Sequence, residues 1–233
     1  MIEEPPLLTL IKNAPRPTQA QIDAFQGIPT GFVCDAMMGK GALSTAIGPI
    51  GFGRDYDCVA AGPALVADNG PADILATLAA VHMLQSGDVV VAAFGGFQGC
   101  AASGDQLMGM MKNAGAAGFV TDGPMRDYEG MVAVGLPAFC AGLNANSPYA
   151  NGPGTVGGAA MVGGMQIATG DMIIADRNGV VVVPFAEIDT VIAKLDEVKA
   201  MEDELEAKVA SGFCTPLDLD AMVAEGKAVV KGG

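Results

Sequence analysis

The 233-residue chain has no tryptophan, three tyrosines, nine phenylalanines and one histidine, His82. A core with so few rings must be filled by Ala, Val, Leu, Ile and Met, and a hydrophobic content of 51% is enough to build a sizeable one. A single histidine all but removes His-rich metal sites and a His-based nucleophilic triad. Positive charge is scarce as well: 12 Lys and Arg stand against 26 Asp and Glu, a net charge of −14. Nucleic acid needs clustered cations to neutralise phosphates, so it is not an expected partner, and neither is an anionic membrane surface. No apolar run approaches the roughly 18 to 20 residues that span a bilayer. The start, Met1-Ile2-Glu3-Glu4-Pro5-Pro6, is acidic and Pro-rich, unlike a signal peptide. The five cysteines (Cys34, Cys58, Cys100, Cys140, Cys214) are odd in number and none is spaced Cys-x-x-Cys, which suits buried free thiols in a cytoplasmic protein. Walker A, Gly-x-Gly-x-x-Gly after a strand, and Gly-x-Ser-x-Gly are all missing.

What is present is an alternation of helical and strand patterns. Thr18-x-x-Gln21 reads as a capping box. Thr30 is placed to cap a second helix that stops at Gly39 or Gly41. Strands are predicted at Cys58 to Val66, Val89 to Ala93, Gly118 to Thr121 and Pro137 to Ala141, with helices at Ala72 to Leu84 and Gln106 to Ala114 between them. The last third predicts short strands at Gln166 to Ala168, Met172 to Ala175 and Val180 to Val183, with Asn178-Gly179 as a hairpin signal, and then a long charged helix from Phe185 to Ala210. The sum is a mixed α/β fold with helices packed on a sheet.

Two segments have the composition of a site. Gly104-Asp105-Gln106-Leu107 follows a Gly-rich loop and opens a helix, whose free N–H groups suit a carboxylate. Asp122-Gly123-Pro124-Met125-Arg126-Asp127 leaves the end of a buried strand, where ligands of α/β sheets bind. Arg126 offers a donor fork for a carboxylate, and Asp127 a hard oxygen for Mg²⁺ or Mn²⁺. Plain structural readings stand beside these: Asp105 and Asp127 as helix caps, Arg126 in a structural ion pair, Met108-Met110-Met111 as core, and Glu202, Glu204 and Glu206 as solvated charge.

Taken together, Val33 to Met37, Ser86 to Val91, Gly104-Asp105, Gly118 to Asp127, Gly135 to Phe139 and Gly170 to Pro184 make the sequence resemble the RraA-like family, which includes 4-hydroxy-4-methyl-2-oxoglutarate and 4-carboxy-4-hydroxy-2-oxoadipate aldolases. The resemblance implies one mixed α/β/α sandwich domain over residues 1–233, swivelling-domain-like, with an N-terminal arm and helix (1–28), a hairpin-rich C-terminal section and a C-terminal helical extension (185–233). It implies a homotrimer or homohexamer with sites at subunit interfaces. Asp127 then belongs at Mg²⁺ or Mn²⁺, and Glu202 reaches a neighbouring subunit's metal through water. Gly104, Gln106 and Leu107 hold the substrate carboxylate, Arg126 holds its oxo-acid end, and Asp105 orders water as the proton relay. The implied reaction is class II aldol cleavage of a 4-hydroxy-2-oxo di- or tricarboxylic acid to pyruvate and a second oxo acid, with oxaloacetate decarboxylation alongside. Leu78 stands where such aldolases carry a histidine, and His82, four residues on, is the nearest substitute. Two rival readings are a non-enzymatic regulator of ribonuclease E and a methyltransferase that would use the loop Gly95 to Gly99 for its methyl donor.

Overall fold

The computed structural model describes residues 4 and 6–232. In chain order its elements are β1 (Leu8–Leu10), α1 (Gln19–Ala24), α2 (Thr30–Ala36), β2 (Gly48–Pro49), β3 (Ala60–Asp68), α3 (Leu75–Met83), β4 (Val89–Ala93), α4 (Asp105–Asn113), β5 (Gly118–Thr121), α5 (Tyr128–Val134), β6 (Ala138–Cys140), β7 (Gly154–Val156), β8 (Ala159–Val162), β9 (Met165–Ala168), β10 (Met172–Asp176), β11 (Gly179–Val183), α6 (Ile188–Ala210) and α7 (Leu219–Ala224). The apolar runs of β4 and β5 are buried along their whole length, as strands covered on both faces must be. They form the centre of a parallel set, β3–β4–β5–β6, in sequential order. Right-handed crossovers between such neighbours put α3, α4 and α5 on one face. The mixed α/β fold with a long C-terminal helix, expected from the sequence, is what the chain adopts.

β3 is the hinge of the sheet. Its first half pairs antiparallel with β10, and its last two residues pair antiparallel with β7. Three sheet ends are blunted or covered. β1, three residues long, lies outside β7, and β2, Gly48-Pro49, lies outside β6. β11 is flanked by the segment 41–43 through Leu43 N–H to Val180 O and Val182 N–H to Gly41 O, both 2.9 Å.

Gly62 in β3 is required by a close approach, because a Cβ there would run into the Gly87 carbonyl, with the carbonyl carbon at 3.3 Å. Gly62→Ala is therefore expected to cost about 1–3 kcal/mol. Urea unfolding checks this, and an unchanged midpoint would contradict it.

Several local expectations need correcting. Thr30 does not cap α2: Pro29 occupies the cap position without a side-chain bond. Asp176, at the end of β10, accepts from Thr30 N–H (2.9 Å) and Thr30 Oγ1 (2.8 Å). A carboxylate delivered from another element satisfies the helix N-terminus better than the local hydroxyl. The β10–β11 hairpin expected from Asn178-Gly179 does form, with Arg177-Asn178 at its turn and Gly179 paired to Asp176. α3 begins three residues later than the sequence pattern indicates, because Ala72 takes a positive φ and Asp73 accepts from Leu75 N–H. Met110 is exposed, while Met108 and Met111 are core. Of the free cysteines, Cys58, Cys100 and Cys140 are buried, Cys34 is half-buried and Cys214 is exposed. Burial pushes the Cys140 thiol up to about 11, so it stays protonated.

The chain falls into two compact units, residues 1–196 and 197–233, and α6 runs from the first into the second. In the second unit Lys208 pairs with Glu204 at 2.7 Å, and Asp218 caps α7. No helix among the described residues is long and apolar enough to cross a membrane.

Candidate active site

Beyond the C-terminal ends of β4, β5 and β6 the chain enters loops that come together again at single bridge residues. Ser103, Met125 and Leu143 line up in parallel bridges. Ala102 N–H donates to Pro124 O (2.7 Å), Arg126 N–H to Ser103 O (3.1 Å) and Met125 N–H to Gly142 O (2.9 Å). The Gly-rich loop after β4 is held from beneath by Asp122, whose carboxylate accepts from Phe94 N–H (2.6 Å) and Gly96 N–H (2.7 Å). Those donors are spent within the protein, which leaves that loop poorly equipped to cradle a nucleotide-type ligand.

A cavity of about 220 Å³ opens where these segments meet the N-terminus of α4. Its lining includes Gly104, Asp105, Gln106, Leu107, Arg126 and Asp127, so the two stretches singled out in the sequence converge there. In α4 the first helical bond runs from Met108 N–H to Gly104 O, and no side chain caps the end. The N–H groups of Gln106 and Leu107 are thus left to a ligand. Asp105 lies in the first turn and is not the cap. Its carboxylate sits over Gly130 of α5, where a Cβ would come within 2.8 Å of Asp105 Cγ.

Asp127 is the most unusual residue of the site. It adopts φ 61°, ψ 48°, the left-handed region, at the head of α5, and its side chain caps nothing. A non-glycine residue there is strained by roughly 1–3 kcal/mol. Both flanking residues are anchored. The Arg126 guanidinium donates from Nη1 to Ser147 Oγ at 2.6 Å, and the Tyr128 hydroxyl donates to the Asp55 carboxylate. Arg126 Nε stands 3.3 Å from Asp127 Oδ2, with both side chains partly exposed. Gly104 makes room for this pair, since a Cβ would strike Asp127 Oδ2 and approach Arg126 Cγ at 3.3 Å. The side chains of Asp105 and Asp127 thus cap no helix, and the Asp127 carboxylate has Arg126 as its partner.

Among the described residues no three His, Cys, Asp or Glu side chains gather to hold a metal by themselves. The donor set nevertheless fits a hard cation: one or two carboxylates, with the other positions filled by ligand and water, is how Mg²⁺ is bound. Glu202 lies on α6 in the second unit and is half-buried.

His82 is exposed on α3, and Leu78 packs on the core. Neither lines the cavity, and the residue from that region that does is Ile74, just ahead of α3. Ile74, Ala101, Ser103, Ser147 and Pro148 are lining residues that sequence reasoning missed. Ser147 and Pro148 come from the loop rich in Asn, Pro and Gly after residue 143, Ala101 and Ser103 from the end of the Gly-rich loop after β4, and Ile74 from a segment whose pattern reads as helix.

Larger clefts offer less chemistry. One of about 350 Å³ beneath the N-terminal arm has its carboxylate, Asp88, ion-paired with Arg16. Another, of about 720 Å³, contains Asp122, which is committed to the Gly-rich loop.

A family model described as RraA-like, aldolase/RraA, matches residues 30–182. A protein of Halalkalibacterium halodurans that carries the provisional name 4-hydroxy-4-methyl-2-oxoglutarate aldolase is 34% identical over 196 residues, covering 83% of this chain and 91% of that one. Among solved structures, Streptomyces coelicolor RraAS2, described as an unusual member of the RNase ES inhibitor RraA family, superposes with a TM-score of 0.69 at 25% identity, over 83% of this chain and all of that one. An uncharacterised Pseudomonas syringae protein superposes with a TM-score of 0.75 at 23% identity, over 86% of this chain and 92% of that one.

Proposed function

The chain belongs to the RraA-like aldolase family, and from that premise we propose that it is a divalent-metal-dependent carbon–carbon lyase that splits a 4-hydroxy-2-oxo acid into pyruvate and a second oxo compound. One observation supports this above the rest: the helix N-terminus, Arg126 and a strained Asp127 whose side chain caps no helix share one cavity. Strain of this kind collects where function maintains it.

In this reading the substrate's 1-carboxylate accepts from the N–H groups of Gln106 and Leu107, beside Gly104. Arg126, braced by Ser147, faces the 2-oxo oxygen. Asp127 and, through water, Glu202 of a neighbouring subunit hold Mg²⁺ or Mn²⁺. When bound, the cation supplies positive charge for the oxygen that gains electrons. Cleavage breaks the C3–C4 bond, and its electron pair stays with the pyruvyl fragment. The fixed guanidinium of Arg126 stands where that negative charge develops. The 4-hydroxyl proton passes through an intervening water to the Asp105 carboxylate, C4 becomes a carbonyl carbon, and the same proton returns through water to C3, which gives pyruvate and restores the carboxylate. Loss of CO₂ from oxaloacetate generates the same negative charge, so the same residues serve it. A cytoplasmic homotrimer or homohexamer is part of the proposal.

The test is pyruvate release from 4-hydroxy-2-oxo acids and oxaloacetate with Mg²⁺, with Mn²⁺ and with chelator. Release only with metal is the expected result. Activity indifferent to chelator would remove the metal from the reading, and an active monomer would remove the shared site.

The likeness to RraAS2 favours one alternative, a protein-binding regulator of ribonuclease E. Capture of ribonuclease E together with no metal-dependent lyase activity would reverse the order.

A further inference from the structure

Arg126 and Asp127 are neighbours in the chain and opposite in charge, and the proposed site needs them apart. The guanidinium serves the 2-oxo acid and the carboxylate serves the cation. Left to itself, such a pair closes into charge-assisted hydrogen bonds of about 2.7–2.9 Å. Here the gap is wider, with Arg126 Nε 3.3 Å from Asp127 Oδ2. The guanidinium is drawn instead to Ser147, whose Oγ accepts from Arg126 Nη1 at 2.6 Å. All three residues line the cavity.

Ser147 can hold its place because the loop that carries it is pinned on both sides. Before it, Asn144 Nδ2 donates to Gln98 O (2.8 Å), Asn146 Nδ2 donates to Gly99 O (2.9 Å), and Asn146 O accepts from Ala101 N–H (2.9 Å). After it, Tyr149 N–H donates to Ala72 O (2.8 Å), and Tyr149 O accepts from Ile74 N–H (2.9 Å). The buried carboxylate of Asp73 then accepts from Asn151 N–H (2.6 Å) and Gly152 N–H (3.0 Å). Between these anchors lie Ser147 and Pro148, and a following proline restricts the serine backbone to extended conformations. The loop has no regular secondary structure, yet its bonds place one hydroxyl against one guanidinium.

Resting on the proposed lyase site, we propose that Ser147 is a positioning residue that holds Arg126 off Asp127 and so keeps the carboxylate open to a divalent cation. Without the hydroxyl, the guanidinium closes the gap and competes with the cation for the same oxygen. Arginine has no acceptor and cannot itself ligate a metal, so Ser147 reaches the metal site only through this competition. The fold makes little use of the hydroxyl: Ser147 is exposed, and the bond to Arg126 is the one its side chain makes among the described residues.

Mn²⁺ alone is the probe, titrated into the full chain with no 2-oxo acid present and followed by electron paramagnetic resonance. Ser147→Ala should bind Mn²⁺ about ten-fold more weakly, the lower end of what loss of a supporting hydrogen bond does to metal affinity, with the parent's unfolding midpoint. Ser147→Thr keeps the hydroxyl and should bind like the parent. In Arg126→Leu no guanidinium is left to compete, so adding Ser147→Ala should change the affinity by less than about two-fold. Parent-like affinity in Ser147→Ala would overturn the positioning role and leave the lyase reading standing. So would an equal loss in Ser147→Thr, or a loss in the Arg126→Leu protein as large as in the parent, because the hydroxyl would then not be acting through Arg126. The expected Mn²⁺ pattern in a protein that releases no pyruvate from any 4-hydroxy-2-oxo acid would support the role of Ser147 and defeat the lyase reading. A parent protein that binds no Mn²⁺ would remove both.

Discussion

Asp127→Gly is expected to leave the protein as stable as before, or up to about 1 kcal/mol more stable, while lowering lyase activity by about 10²–10³-fold or more. The two halves of that result come from different parts of the residue. The backbone at φ 61°, ψ 48° is strained for aspartate and free for glycine. Part of the gain is offset by the larger entropy glycine has in the unfolded chain. The carboxylate caps no helix N–H, and its one partner, Arg126 Nε, is partly exposed and passes to water when it is removed. An aspartate present for structure would behave in the opposite way, with a cap loss of about 1 kcal/mol and activity intact. Thermal unfolding and a pyruvate-release assay on the same preparation separate the cases. Asp127→Asn keeps the shape and removes the charge, and it should match the glycine variant in activity but not in stability.

Gly104→Ala is the second large effect. Gly104 has an extended backbone, φ −146° and ψ −175°, which alanine adopts without strain. The added methyl nevertheless points at Asp127 Oδ2 and lies 3.3 Å from Arg126 Cγ and 3.5 Å from Nε. Both side chains are partly exposed and can swing aside. The fold therefore survives while the two groups that face the substrate move. A displacement near 1 Å at such groups costs about 10²-fold. The expected outcome is a fall of that size in kcat/KM with an unfolding midpoint close to the parent's. Full activity would mean that the positions of Arg126 and Asp127 do not matter to the chemistry.

The sequence was legible where burial and local chemistry dominate. β4 and β5 fall on their predicted residues because each is an uninterrupted apolar run between turn signals. The capping box at Thr18 and Gln21 is formed because both partners lie within one turn. β1 and β7 went unread, being three residues long, too short for a period to show. Asp176 capping α2 is a contact across 146 positions and leaves no local mark. The site divides the same way. Gly104 to Leu107, Arg126 and Asp127 stand out by residue type at strand and helix ends. The left-handed turn at Asp127 and the wall of Ile74, Ala101 and Pro148 arise only when three loops meet. Counting from a family position points to Leu78, which packs on the core, while Ile74, just ahead of α3, lines the cavity.

The blunted sheet ends constrain how copies of this chain can associate. β1 has three residues, β2 has two and ends in proline, and the far side of β11 already bonds the segment 41–43. None of these presents the long row of open amides that invites a strand from another molecule. Growth into fibres by adding sheet to sheet is blocked at each of them. At these three ends, contacts between copies go through side chains rather than through backbone pairing.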